Sequence, residues 1–226
     1  MIQGRHMKSS TISTMTRAPL LVALALVAAL AGCQTEPLAP ITASAYQPDF
    51  PELTCAAYGM SGGRDATLTA YRRKQGAPGY IEFRARMEHL IGSGHMYVVF
   101  GRLDASGKPV THQYIGLFPV GGALGMYSAM AVPIKAHLKP RKEDCDGGTL
   151  GAYRVALSEA EYQALVGKVQ AALAKPPLWH MFAYNCNHFA ASLGRVAGLK
   201  PADDFLSPTF QYIHSYIRKN GDASAS

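Results

Sequence analysis

The sequence predicts a single α+β domain in which an antiparallel sheet packs against C-terminal helices. Three observations predict it. Short strand-like segments, set off by glycine-rich turns, fill the middle of the chain. Helical periodicity with capping signals is confined to the last third. No internal repeat is present, so one domain is expected behind the N-terminal segment.

Residues 1–17 carry Arg5, Lys8 and Arg17 and no acid, and residues 18–31 form an apolar stretch. Fourteen residues fall short of the roughly 20 that a spanning helix needs. A basic start followed by a short apolar core is the layout of a secretory signal. The stretch ends in Leu30-Ala31-Gly32-Cys33, which resembles the bacterial lipobox. That resemblance implies a signal peptide over 1–32, cleavage before Cys33 and a lipid such as palmitate on its thiol. An ordinary signal peptide with an incidental cysteine is the alternative. Met1, Met7 and Met15 each leave a workable basic region as a start. By resemblance to known sorting signals, Gln34 implies an outer-membrane lipoprotein facing the periplasm. Residues 33–50, with Pro37, Pro40 and Pro48, are expected to be the lipidated end and a flexible tether. The domain is expected over 51–221 and a disordered tail over 222–226.

The 193 residues after Cys33 suffice for one sizeable core. Three of the 22 basic residues precede Cys33, which leaves 19 against 15 acidic ones, a net charge of +4. Neither Arg72-Arg73-Lys74 nor the 139–142 cluster is long enough for a nucleic-acid footprint, so no nucleic-acid partner is expected. A mildly basic surface suits an anionic lipid or a cell-wall polymer. Cys186-x-His188 is too lone a pair for a zinc site, and Gly121-Gly122 lacks the later Gly and Lys of a phosphate loop. No metal or cofactor is expected.

Along the domain, 65–74 reads as a short helix. Residues 80–87 alternate, with Ile81, Phe83 and Ala85 on one face of a strand. After a turn at Gly92 and Gly94, 95–101 reads as a buried strand. Residues 104–108 are a hairpin turn, 110–118 the return strand, 124–132 another strand, 139–148 a loop and 153–157 a short strand. Ser158 and Glu161 form a capping box for a helix whose apolar face holds Tyr162, Leu165, Val166, Val169 and Leu173 and which Pro176 and Pro177 end. Asn185 caps a second helix that runs from Cys186 to about Val196 and is closed by Gly198. Ser207-Pro208 opens a third, with Phe210, Ile213 and Ile217 buried and Gly221 as its stop.

The cysteines are Cys33, Cys55, Cys145 and Cys186. With Cys33 lipidated, three remain in an oxidising compartment, so one thiol is left over. Cys55 and Cys145 lie in turn-rich contexts and are expected to pair, leaving Cys186 unpaired; pairing of Cys186 with another cysteine is the alternative. Cys186 sits in Tyr184-Asn185-Cys186-Asn187-His188-Phe189, at a helix start, where exposed amides and the dipole favour thiolate. It reads as a nucleophile, or equally as a small apolar residue packing a helix end. A nucleophilic cysteine needs a base, usually histidine. His188 lies two residues on and points away, as a surface or capping residue. His180 and His214 read as structural, and His89 and His137 carry little signal. His95 opens a strongly apolar strand, where an imidazole needs a partner; it reads as the general base, or as a strand-edge cap. His112, across the hairpin, is a possible orienter, with Gln113 and Tyr114 as others. Asn185 is placed to cap the helix and to help hold an oxyanion.

His95 opening an apolar strand, the partner strand His112-Gln-Tyr-Ile-Gly-Leu-Phe-Pro119, and the later Asn185-Cys186-Asn187-x-Phe189 on a helix resemble the circularly permuted papain-like hydrolases. These include the permuted NlpC/P60, lecithin:retinol acyltransferase-like and PPPDE groups. Histidine precedes cysteine in them, as here. The resemblance covers roughly 80–200. It implies thiol chemistry on an amide, ester or thioester carbonyl, with Cys186 as nucleophile and His95 as base. For an envelope lipoprotein it implies a peptidoglycan peptide bond as substrate, or a lipid acyl chain. A lipid acyltransferase of the same fold and a non-catalytic binding lipoprotein remain the competing readings.

Overall fold

The structure, a computed structural model, describes residues 46–60, 64–87 and 94–221. They all belong to one compact unit, Pro40–Ser226. The expected signal, Cys33, the turn at Gly92 and the tail lie outside the described residues.

Five strands make the main sheet: β1 (Ala70–Arg72), β2 (Gly79–Arg86), β3 (His95–Arg102), β4 (Gln113–Gly116) and β7 (Gly151–Leu157). Their spatial order is β1-β7-β2-β3-β4. A small ribbon joins β5 (Phe118–Pro119) to β6 (Ala136–His137). All neighbours in the main sheet are antiparallel except β1, which runs parallel to β7. The sheet is therefore mixed and not wholly antiparallel. The correction comes from 65–74, expected as a helix. There the Thr69 amide donates to the Ala152 carbonyl at 2.8 Å, and Asp65 accepts from Arg154 at 3.1 Å. The unpaired backbone edge of β7 outweighs the local helical pattern.

Ile81, Phe83 and Ala85 face one side with Met96, Val98, Phe100, Ile115 and Val155, all fully buried. Three helices cover that side: α3 (Glu159–Ala174), α4 (Cys186–Gly194) and α5 (Thr209–Asn220). Ser158 and Glu161 cap α3 reciprocally, and Gly198 closes the turn after α4 with φ of +69°. On α5 the inward residues are Tyr212, Ile213 and Tyr216, while Phe210 is 40% exposed. The expected burial of Phe210 is thus corrected: the helix turns Tyr216 onto Phe83 and Tyr153 and Tyr212 onto Phe205, and leaves Phe210 outside.

The other face is buried too. Tyr80, Tyr97, Val99 and Tyr114 pack there under the disulfide Cys55–Cys145, whose Cα atoms are 5.9 Å apart. Glu82 is fully buried on this face and accepts from both Arg84 and Arg154. A carboxylate between two guanidinium groups offsets the cost of desolvating all three charges. At the domain's N-terminal edge, the Tyr162 hydroxyl donates to Asp49, and Phe50 packs against Phe100. The domain therefore begins before residue 51.

Residues 124–132 are not a strand. Gly122–Ser128 forms a short helix, α1, and only Met126 on it is buried. The 139–148 loop contains a helical turn, α2 (Lys142–Cys145).

Candidate active site

The first turn of α4 is held by its two asparagines. Asn185 is extended, and its Oδ1 accepts from the amides of Asn187 at 3.0 Å and His188 at 3.3 Å. Its Nδ2 donates to the carbonyls of Met181 at 3.0 Å and Phe205 at 3.1 Å. Asn187, 3% exposed, donates from Nδ2 to Phe205 at 3.1 Å and Ser207 at 3.4 Å. The residues on either side of Cys186 thus clamp the 181 and 205–207 segments against the helix start. Asn185 acts as the cap foreseen for it. Both of its amide hydrogens are spent on carbonyls, so it does not serve as an oxyanion donor. His188 shares the cap, with Nδ1 bonded to Asn185, and stacks on Phe205 at 3.9 Å.

Cys186 is half-buried and is the free thiol among the described residues. Amides of Met96, Cys186 and Asn187 and the Thr209 hydroxyl approach its sulfur. These donors favour thiolate, yet burial outweighs them and pushes the thiol pKa up. Burial thus works against the thiolate that a helix start favours.

His95 is 6% exposed and begins β3, one residue before Met96. Its ring lies against Phe118 at 4.1 Å and parallel to Tyr97 at 6.0 Å. Burial first, then the positive charges of Arg86, Arg141 and His137, holds its pKa well below the usual histidine range. Its Nε2 is enclosed and has no hydrogen-bond partner among the described residues. Gly116 explains the enclosure: a Cβ there would lie 2.8 Å from that nitrogen.

One cavity of about 430 Å³ brings these groups together. His95, Cys186, Asn185, Asn187, Thr209 and Arg141 line its polar end. Leu117, Phe118, Met126, Trp179, Phe205 and Leu206 make its apolar walls.

His112 lies elsewhere. The β3–β4 register pairs Tyr97 with Gly116 and Phe100 with Gln113. At about 3.3 Å per residue, His112 is roughly 20 Å along the sheet from His95. It pairs with Asp65 at 3.3 Å and contacts Tyr80. It is a hairpin residue and does not orient His95; Gln113 and Tyr114, opposite Phe100 and Val99, are bonded to Asp49 and packed among the tyrosines. His180 accepts two amides from its own loop at 3.2 Å, a structural role. The sequence reading missed Asn187, Thr209, Arg141, Gly116 and His137. Only Asn187 had a local signal, its place in the Asn-Cys-Asn motif.

Compared with family models, curated proteins and solved structures, the chain matches none.

Proposed function

We propose that this chain is a lipid-anchored thiol hydrolase of the bacterial cell envelope, with a circularly permuted papain-like arrangement of His95 and Cys186. Its target is an amide, such as a peptidoglycan peptide bond, or an ester. One observation carries the reading: a cysteine at a capped helix start and a neutral histidine at the start of a packed strand open into the same cavity. His95 takes the thiol proton as Cys186 Sγ attacks the carbonyl. The backbone amide of Cys186, at the helix start, serves the developing oxyanion as donor; that of Asn187 is already taken by Asn185 Oδ1. The imidazolium then protonates the leaving group, and water releases the acyl group from sulfur. Because both partners rest neutral, the proton moves during attack instead of beforehand.

The apolar walls favour a second reading, an acyltransferase that resolves the thioester with an acceptor other than water. The unpartnered Nε2, together with a ring lying on the Tyr97 side of β3, favours a third: a binding module without turnover.

Iodoacetamide labelling of folded protein at pH 7 separates the catalytic readings from the third. Labelling of Cys186 should depend on His95 as base, so that His95→Ala slows it at least tenfold. A Cys186 that labels equally fast with and without His95 would sink the catalytic proposal. Labelled muropeptide and labelled phospholipid, offered side by side, then decide between hydrolase and acyltransferase by which bond turns over.

A further inference from the structure

Nine of the twelve large apolar side chains exposed among the described residues fall on three segments, 120–132, 178–182 and 206–210. Leu124 is 81% exposed, Tyr127 65%, Leu206 57% and Leu178 54%. The segments adjoin each other. The Met181 amide donates to the Ala129 carbonyl at 3.0 Å, and Ile134 and Trp179 exchange backbone bonds at 2.9 Å. Each segment also supplies a wall of the cavity that holds His95 and Cys186, through Met126, Phe182 and Leu206. The exposed side chains therefore ring the mouth of an apolar pocket. A contiguous exposed apolar patch of this kind marks an interaction site.

Charge selects the occupant. Residues 118–142 carry Lys135, Lys139, Arg141 and Lys142 and no acid. The three lysines are exposed, and the Val120 amide bonds the Lys135 carbonyl at 3.0 Å. The acids nearest the third segment are engaged: Asp203 pairs with Lys219, and Asp204 accepts from Leu206 and Ser207. Apolar tips flanked by cations suit the headgroup layer of an anionic membrane. A protein–protein core, by contrast, is depleted in lysine. Within 124–132, Met126 and Ala129 reach the core, while Leu124, Tyr127, Met130 and Val132 stay exposed around this mouth.

We infer that these three segments dock the domain on an anionic lipid bilayer, with the cavity opening toward the acyl chains. The docking does not depend on the thiol chemistry proposed above.

Trp179 is the sole tryptophan and lines the cavity. The full chain is added to phosphatidylglycerol–phosphatidylcholine vesicles with brominated or plain acyl chains. Emission from Trp179 should fall at least twofold on brominated vesicles and fall less on brominated phosphatidylcholine alone. Leu124→Ser, at a side chain 81% exposed, and the pair Lys135→Glu with Lys139→Glu should each halve the quenching or better, with unchanged circular dichroism. Cys186→Ser should quench like the wild type, so a failed labelling experiment leaves this result standing. Equal emission from brominated and plain vesicles overturns the inference. So does quenching that survives every rim substitution, or a concentration-dependent dimer that covers the rim and stays unquenched.

Discussion

The chemistry of Cys186 and His95 is set by enclosure more than by their immediate neighbours. Burial drives both pKa values toward the neutral forms, the thiol's up and the imidazole's down. Alkylation of Cys186 in His95→Ala should therefore keep rising with pH beyond about 8.5, where an ordinary thiol begins to level off. A rate already level at pH 8 would mean a thiolate at rest. The same burial predicts acid sensitivity. His95 is depressed in the folded state, so as pH falls below about 6.5 the unfolded chain binds its proton first. Stability is present above that pH and is lost as pH drops, by up to about 1.4 kcal/mol per pH unit for each such proton. His95→Gln should flatten the fall of the urea midpoint between pH 6.5 and 5. A residual slope is expected from His112, also held below its ordinary value by burial. Gly116→Ala tests the enclosure directly: its Cβ would crowd Nε2, displacing the ring and lowering Cys186 labelling in a protein that still folds.

At the scale of elements, what the sequence showed best was what is written locally. The Ser158–Glu161 box, the Asn185 cap and the Gly198 stop are side-chain and backbone chemistry within a few residues, and all three form. The 65–74 and 124–132 segments were misread because their state depends on distant partners. The first is extended by the edge of β7, and the second is an apolar helix with no sheet edge to join. For the site, the Asn-Cys-Asn motif was legible, but its purpose as a clamp on the 181 and 205–207 segments needs the fold. This separates two jobs of Asn185. Asn185→Asp keeps an oxygen to accept from Asn187 and His188, so α4 should lose little stability. It loses Nδ2, so the Met181 carbonyl loses this donor and the Phe205 carbonyl keeps that of Asn187. Cys186 labelling should slow several-fold while the urea midpoint moves little. Asn185→Ala, losing cap and clamp together, should cost about 1–3 kcal/mol.

For the whole molecule, the sheet is covered on both faces by different means. The helix side is a conventional apolar core, foreseen from the Ile81, Phe83 and Ala85 alternation. Burial of the Tyr80, Glu82 and Arg84 side was not legible, because its cover comes from residues near 55 and 145, remote in sequence. The disulfide joins those two remote pieces across a sequence separation of 90. In the chain-entropy account a loop of that length stabilises by about 4–5 kcal/mol, and measured values often fall short. The bridge does more than close a loop here, since it roofs a face that carries the buried Glu82 between Arg84 and Arg154. Opening it admits water to charges whose pairing depends on dryness. The double substitution Cys55→Ala with Cys145→Ala, made in a Cys186→Ser background so that no thiol can reshuffle, should lower unfolding free energy by at least 3 kcal/mol in urea. Added 1 M salt should lower it further in the variant than in the bridged protein, because only a wetted ion cluster is screened. An equal salt response in the two proteins would show that the cover stays shut without the bridge.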